Sequence, residues 1–176
     1  MKTSLADKKQ AGFTLIELVI VIGLAGIIAA AITGTILGVF STDARTRNSM
    51  SALYQVRQAG KLVTEDVLQA KPPLNLGENS GFPLTLTQDK IVDGTTHTHT
   101  VTYSLVDMPA GELKRLKRSE SVDGGDPVVS IVAEYIDPDP DMTRCSLEGD
   151  VLVFKVTATV GGQSKTETFR VEPRVG

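Results

Sequence analysis

The chain of 176 residues has a single cysteine, Cys145, so no disulfide can form within it. No His or Asp/Asn partner for that thiol stands out in a recognisable motif, and an inert or partly buried sulfur is expected. Proline is absent before Pro72, and residues 18–40 hold no Asp, Glu, Lys or Arg either. There is no phosphate-binding glycine loop, nucleophile elbow, metal-hydrolase helix or cysteine cluster. An enzyme therefore has no motif to rest on, and none is expected. Internal repeats, linkers and low-complexity tracts are also missing. Positive charge is in slight deficit, at a net −3 for the whole chain. A mildly acidic surface argues against nonspecific nucleic-acid binding.

What the chain does have is one long apolar run. The 23 residues 18–40 would rise through roughly 35 Å as a helix, enough for a hydrocarbon core of about 30 Å. Thr33 and Thr35 are its polar side chains, and each hydroxyl can bond back to its own helix. Gly34 and Gly38, and Ala25 and Ala29, are small pairs four apart, a spacing that lets membrane helices approach closely. Lys2, Lys8 and Lys9 precede the run against Asp7 alone, which predicts a cytoplasmic N-terminus and an exported remainder, with Arg45 and Arg47 on the far side weakening the bias. A cleaved secretory signal would have a shorter apolar core followed by its small residue. Here the small residue, Gly12, comes first. A plain signal anchor explains the length but gives no reason for Glu17, a lone carboxylate at the head of a membrane-length helix.

The stretch Lys8-Lys9-Gln10-Ala11-Gly12-Phe13-Thr14-Leu15-Ile16-Glu17-Leu18 resembles the processing site of type IV prepilins and of the pseudopilins of type II secretion. The resemblance implies cleavage by a prepilin peptidase between Gly12 and Phe13, methylation of the new Phe13 amine, and assembly of the mature chain with other pilin or pseudopilin subunits. It further implies an assembly platform protein with its ATPase, a single pass through the inner or cytoplasmic membrane, and then a filament. Loss of the leader, with Lys2, Lys8, Lys9 and Asp7 at a net +2, would leave −5. Glu17 would lie one helical turn from the cationic Phe13 amine, and in the family such a carboxylate is thought to meet the amine of a neighbour. Two charges in an apolar medium are tolerable only when paired. The chain departs from many major subunits in lacking a proline about twenty residues into the mature helix, where it has Gly34. That departure points to a minor subunit, and residues 53–70 are similar to the J-type minor pseudopilins. The alternatives are an anchored extracytoplasmic binding domain for calcium or carbohydrate that never polymerises, and a minor pilin of a DNA-uptake machine.

Past residue 40 the pattern changes. Met50, Leu53, Val56, Gly60, Val63, Val67 and Ala70 recur every three or four residues, one apolar stripe, with Glu65 and Asp66 read as lying off it. Pro72-Pro73 should end the helix. Alternating runs at 82–87, 98–106, 128–136, 151–160 and 164–171 predict strands. Val160-Gly161-Gly162-Gln163 predicts a hairpin turn. The basic run 111–118, holding Lys114, Arg115, Lys117 and Arg118, is expected as an exposed edge strand that could touch nucleic acid or simply be solvated. Segments 72–81, 119–127 and 137–150 are expected as loops. The predicted fold is α+β and type IV pilin-like, one long helix packed on an antiparallel sheet. Its parts are a leader at 1–12, a membrane or filament-core helix at 13–40, an amphipathic helical half at 41–71 and a β head at 72–176. Asp137, Asp139 and Asp141 alternate in one loop and could supply oxygens to calcium, although the glycine and distal Glu of an EF-hand are missing. His97 and His99 share a strand face and could chelate a transition metal, but no third ligand is evident and a surface strand is expected.

Overall fold

Valine, alanine and glycine at 56, 59, 60, 63 and 67 give the second half of the helix a narrow apolar stripe without bulky side chains, so a sheet can approach it closely. In the computed structural model, which describes residues 14–78 and 80–173, a single helix α1 runs Leu15–Gln69. The chain divides after Ala44 into two units. The first holds the apolar part of α1. The second holds the remainder of α1 and an antiparallel sheet of eight strands: β1 Lys71–Gly77, β2 Gly81–Val92, β3 Thr95–Asp107, β4 Lys114–Val122, β5 Val128–Ile136, β6 Arg144–Glu148, β7 Val151–Val160 and β8 Gln163–Val171.

The order across the sheet is β1-β2-β3-β4-β5-β7-β6, with β8 pairing the other edge of β7. β5 meets β7 only at Ile136 opposite Ala158, and β6 takes the first half of the same β7 edge. Val56, Ala59, Val63 and Val67 pack on Leu84, Leu86, Val101, Tyr103, Leu116, Ile136, Phe154 and Val156, all buried. Each fully buried Val, Leu or Phe side chain contributes about 1.5–3 kcal/mol. Phe169 stacks on Phe154 with ring centroids 6.2 Å apart. Its ring tip faces Gly60, where a Cβ would fall 2.0 Å from Phe169 Cζ, so the close approach requires glycine at this position. The hairpin expected at Gly161-Gly162 joins β7 and β8 with φ of 52° and 74°, the left-handed pair of a type I′ turn.

Several expectations need correction. The segment 72–81 is not a loop: β1 occupies most of it, with both prolines inside the strand. β1 is the outermost strand of the order, so a missing N–H on its outer side costs no ladder bond. The step from Lys71 to Asn75 in β1 also matches only the step from Thr87 to Thr85 in β2, so the prolines lie in an irregular stretch. The basic run is not an exposed edge. β4 lies between β3 and β5 and continues to Val122, through part of the expected loop 119–127. Three of its four basic side chains are matched: Arg118 with Asp66 and Glu120, Arg115 with Glu134, Lys114 with Asp107. The segment 137–150 contains β6, paired along β7. Finally, Met50 is exposed although its spacing puts it on the stripe, and Asp66 is buried rather than lying off the packed face.

Candidate functional site

The start of α1 is built around Thr14. Its carbonyl accepts from the N–H groups of Glu17 and Leu18 at 3.1 and 3.2 Å. Its Oγ1 lies 3.4 Å from both Glu17 N and Glu17 Oε2. Thr-x-x-Glu is the spacing of a capping box, so Glu17 turns back on its own helix start, where the unsatisfied N–H groups favour an anion. Thr14 is absent from the residues singled out in the sequence, and that spacing is the signal that could have found it. Gly12 and Phe13 lie outside the described residues.

From Leu15 to Phe40 the helix presents its apolar side chains to nothing among the described residues. Leu15 is 83% exposed, and Ile16, Ile27 and Phe40 each exceed 65%. Thr33 and Thr35 donate to the carbonyls of Ala29 and Ala31 at 2.9 and 3.0 Å, and Ser41 and Thr42 both donate to Gly38 O. Every hydroxyl in this part of the helix is thus satisfied without water, as a lipid or protein surrounding demands. Gly23, Gly26, Gly34 and Gly38 have no neighbour within 4 Å of a would-be Cβ. Packing within the described chain therefore places no demand for glycine at these four positions. This part of α1, near the N-terminus, is long and apolar enough to cross a membrane once.

In the second unit the sharpest electrostatic feature is the seam between α1 and the sheet. Asp66 Oδ2 accepts from Tyr103 Oη at 2.6 Å and from Arg118 Nε at 2.7 Å, and Arg118 Nη2 reaches Asp66 Oδ1 at 3.2 Å. Arg118 Nη1 continues to Glu120 Oε2 at 2.7 Å, and Glu120 Oε1 lies 2.7 Å from His99 Nδ1. The Arg118 hydrogen bond, followed by that of His99, holds the Glu120 carboxyl down at about 2. Burial and then the Asp66 carboxylate push the Tyr103 phenol well above its ordinary value. This network fastens the helix to β3 and β4.

The remaining candidates are placed as follows. Asp137 Oδ1 accepts from Asp139 N at 3.1 Å, and Asp139 Oδ1 from Asp141 N at 2.8 Å, so two of the three carboxylates cap their own turn. Among the described residues no group of three or more His, Cys, Asp or Glu is placed to hold a metal ion. Cys145 is buried and its thiol is pushed up by burial, as an unreactive sulfur would be. His97 and His99 lie on β3, each with Nδ1 on a carboxylate. Met50, Leu53, Tyr54, Arg57, Gln58, Lys61 and Leu62 line a shallow depression on α1, and Arg57 Nε reaches Glu167 Oε1 of β8 at 3.4 Å.

No curated protein and no solved structure matches the chain. Residues 7–33 match the family model of the prokaryotic N-terminal methylation motif, and with it the chain carries the signal of type IV pilins and pseudopilins, on which a prepilin peptidase acts.

Proposed function

We propose that the protein is a structural, non-catalytic subunit of a type IV pilus-like filament or of a type II secretion pseudopilus. The observation that carries this reading is the methylation motif at residues 7–33 running directly into an apolar helical segment whose side chains find no partner among the described residues. A prepilin peptidase cuts between Gly12 and Phe13, and the Phe13 amine is methylated. The subunit waits in the membrane with its N-terminus cytoplasmic. It is then drawn into the filament by an assembly ATPase acting through a platform protein, and helix packing replaces the lipid contacts. The helix lacks proline throughout, which supports a minor subunit, of J type by the likeness of residues 53–70.

Glu17 sets the axial register. In the single chain its carboxylate rests on Thr14. Among packed helices it exchanges this weak contact for the cationic amine of a neighbouring Phe13. A neighbour displaced along the axis leaves both charges unpaired in an apolar surrounding, at a cost of about 3–5 kcal/mol. The test is Glu17→Leu followed for cleavage and for incorporation. Cleavage at the wild-type level with incorporation reduced at least tenfold is expected. A variant that assembles as well as wild type would remove Glu17 from assembly.

A further inference from the structure

β3 carries a second polar arrangement beyond the seam with α1. His97, His99, Val101 and Tyr103 alternate on one face of the strand; Val101 and Tyr103 are buried in the core, whereas the two histidines retain solvent contact, at 35% and 14% of their side chains. The backbone beneath them is held on both sides: His97 faces Lys90 and His99 faces Gln88 across β2, and His99 faces Val122 across β4.

Each ring is oriented by a carboxylate. His97 Nδ1 lies 2.6 Å from Asp123 Oδ2, and His99 Nδ1 lies 2.7 Å from Glu120 Oε1. A carboxylate only accepts, so Nδ1 of each ring carries the proton and Nε2 of the neutral ring keeps its lone pair. Asp123 is itself fixed, since its Oδ1 accepts from Thr98 N at 2.8 Å. Neither Nε2 has a partner among the described residues. This is the outer arrangement that metal-ligating histidines have, a carboxylate behind the ring that fixes the tautomer and raises the basicity of the far nitrogen. Side chains two apart on a strand start roughly 7 Å from each other, a span from which two imidazoles can converge on one ion with nitrogen–metal bonds of about 2 Å. The nearby cation Lys90 Nζ lies 3.6 Å from Glu120 Oε1, and Arg118 is engaged by Asp66 and Glu120, so both positive charges have counter-ions.

We propose that His97 and His99 bind a first-row transition ion such as Zn2+ through their Nε2 atoms, with Asp123 and Glu120 behind the rings and water completing the coordination. Imidazole selects such ions over calcium or magnesium, so the site is distinct in chemistry from the aspartate loop.

The chain contains only two histidines, so their imidazole proton resonances report on the site without any substitution. Untagged full-length protein in detergent is titrated with ZnCl2 alone. Both imidazoles are expected to shift together and to saturate at one ion per chain. His97→Asn and His99→Asn should each abolish the saturable binding, and Asp123→Asn should weaken it about 10- to 100-fold. Imidazole signals that do not respond to excess Zn2+, or that respond separately with different midpoints, would overturn the proposal. So would binding retained in full by either single histidine variant.

Discussion

Asp66 shows how much one residue can decide. It sits on the helix face that packs against the sheet, only 8% exposed, and its carboxylate is satisfied by Tyr103 and by both a near and a far nitrogen of Arg118. Removing it strands the Arg118 charge in a setting where only 18% of that side chain meets water. Asp66→Ala is therefore expected to destabilise the protein by about 3 kcal/mol, whereas Tyr103→Phe, which loses one hydrogen bond to a charge, costs about 2 kcal/mol. Chemical denaturation of the two variants beside wild type measures both. Glu120 gives this network a pH dependence. Its carboxyl is depressed from 4.5 to about 2 in the fold, so its contribution is complete above pH 4.5 and is lost as pH falls towards 2. Stability measured across that window should fall less steeply in Glu120→Gln than in wild type. The sequence could not reveal this seam, because Asp66 and Arg118 are 52 residues apart and Asp66 alone reads as a solvated helix carboxylate. The Thr-x-x-Glu spacing at Thr14 was legible and local.

At the scale of the element, the helix and five of the strands were readable because their patterns are periodic. α1 ends at Gln69, just ahead of Pro72-Pro73, as the prolines require. The valine and threonine runs at β3, β5, β7 and β8 are strands, as their β-branched composition favours, and β2 extends further than its alternating start because Asp93-Gly94 turns it into β3. That dipeptide, with φ of 51° and 77°, was a legible type I′ signal. β1, β6 and the placement of β4 were not legible. Prolines argue against a strand except at an edge, and a basic strand argues for an edge unless distant acids are known. Close packing of elements predicts a specific sensitivity at Gly60. Gly60→Val should cost about 1–3 kcal/mol through the clash with Phe169, and Phe169→Leu in the same chain should recover part of it. Thermal unfolding of the single and double variants decides, and additive losses would contradict the packing account. The 137–141 turn uses its aspartates on its own N–H groups, so titration with millimolar calcium is expected to give no saturable heat from it. A saturable signal lost in Asp139→Asn would instead assign calcium there.

For the whole molecule, the two units bear different demands. The unit ending at Ala44 displays apolar side chains that no part of the described chain covers, while the unit beginning at Arg45 has its own core of helix and sheet. Under the proposed role, the first unit would meet lipid and then other helices. A pilin-type subunit must have its N-terminal signal used. Intact mass of the protein made with and without an active prepilin peptidase tests this most directly. Loss of residues 1–12 with the gain of one methyl group on Phe13 is the predicted result. A chain left uncut, while the same peptidase processes a control substrate, would contradict the account and make the protein a plain anchored domain.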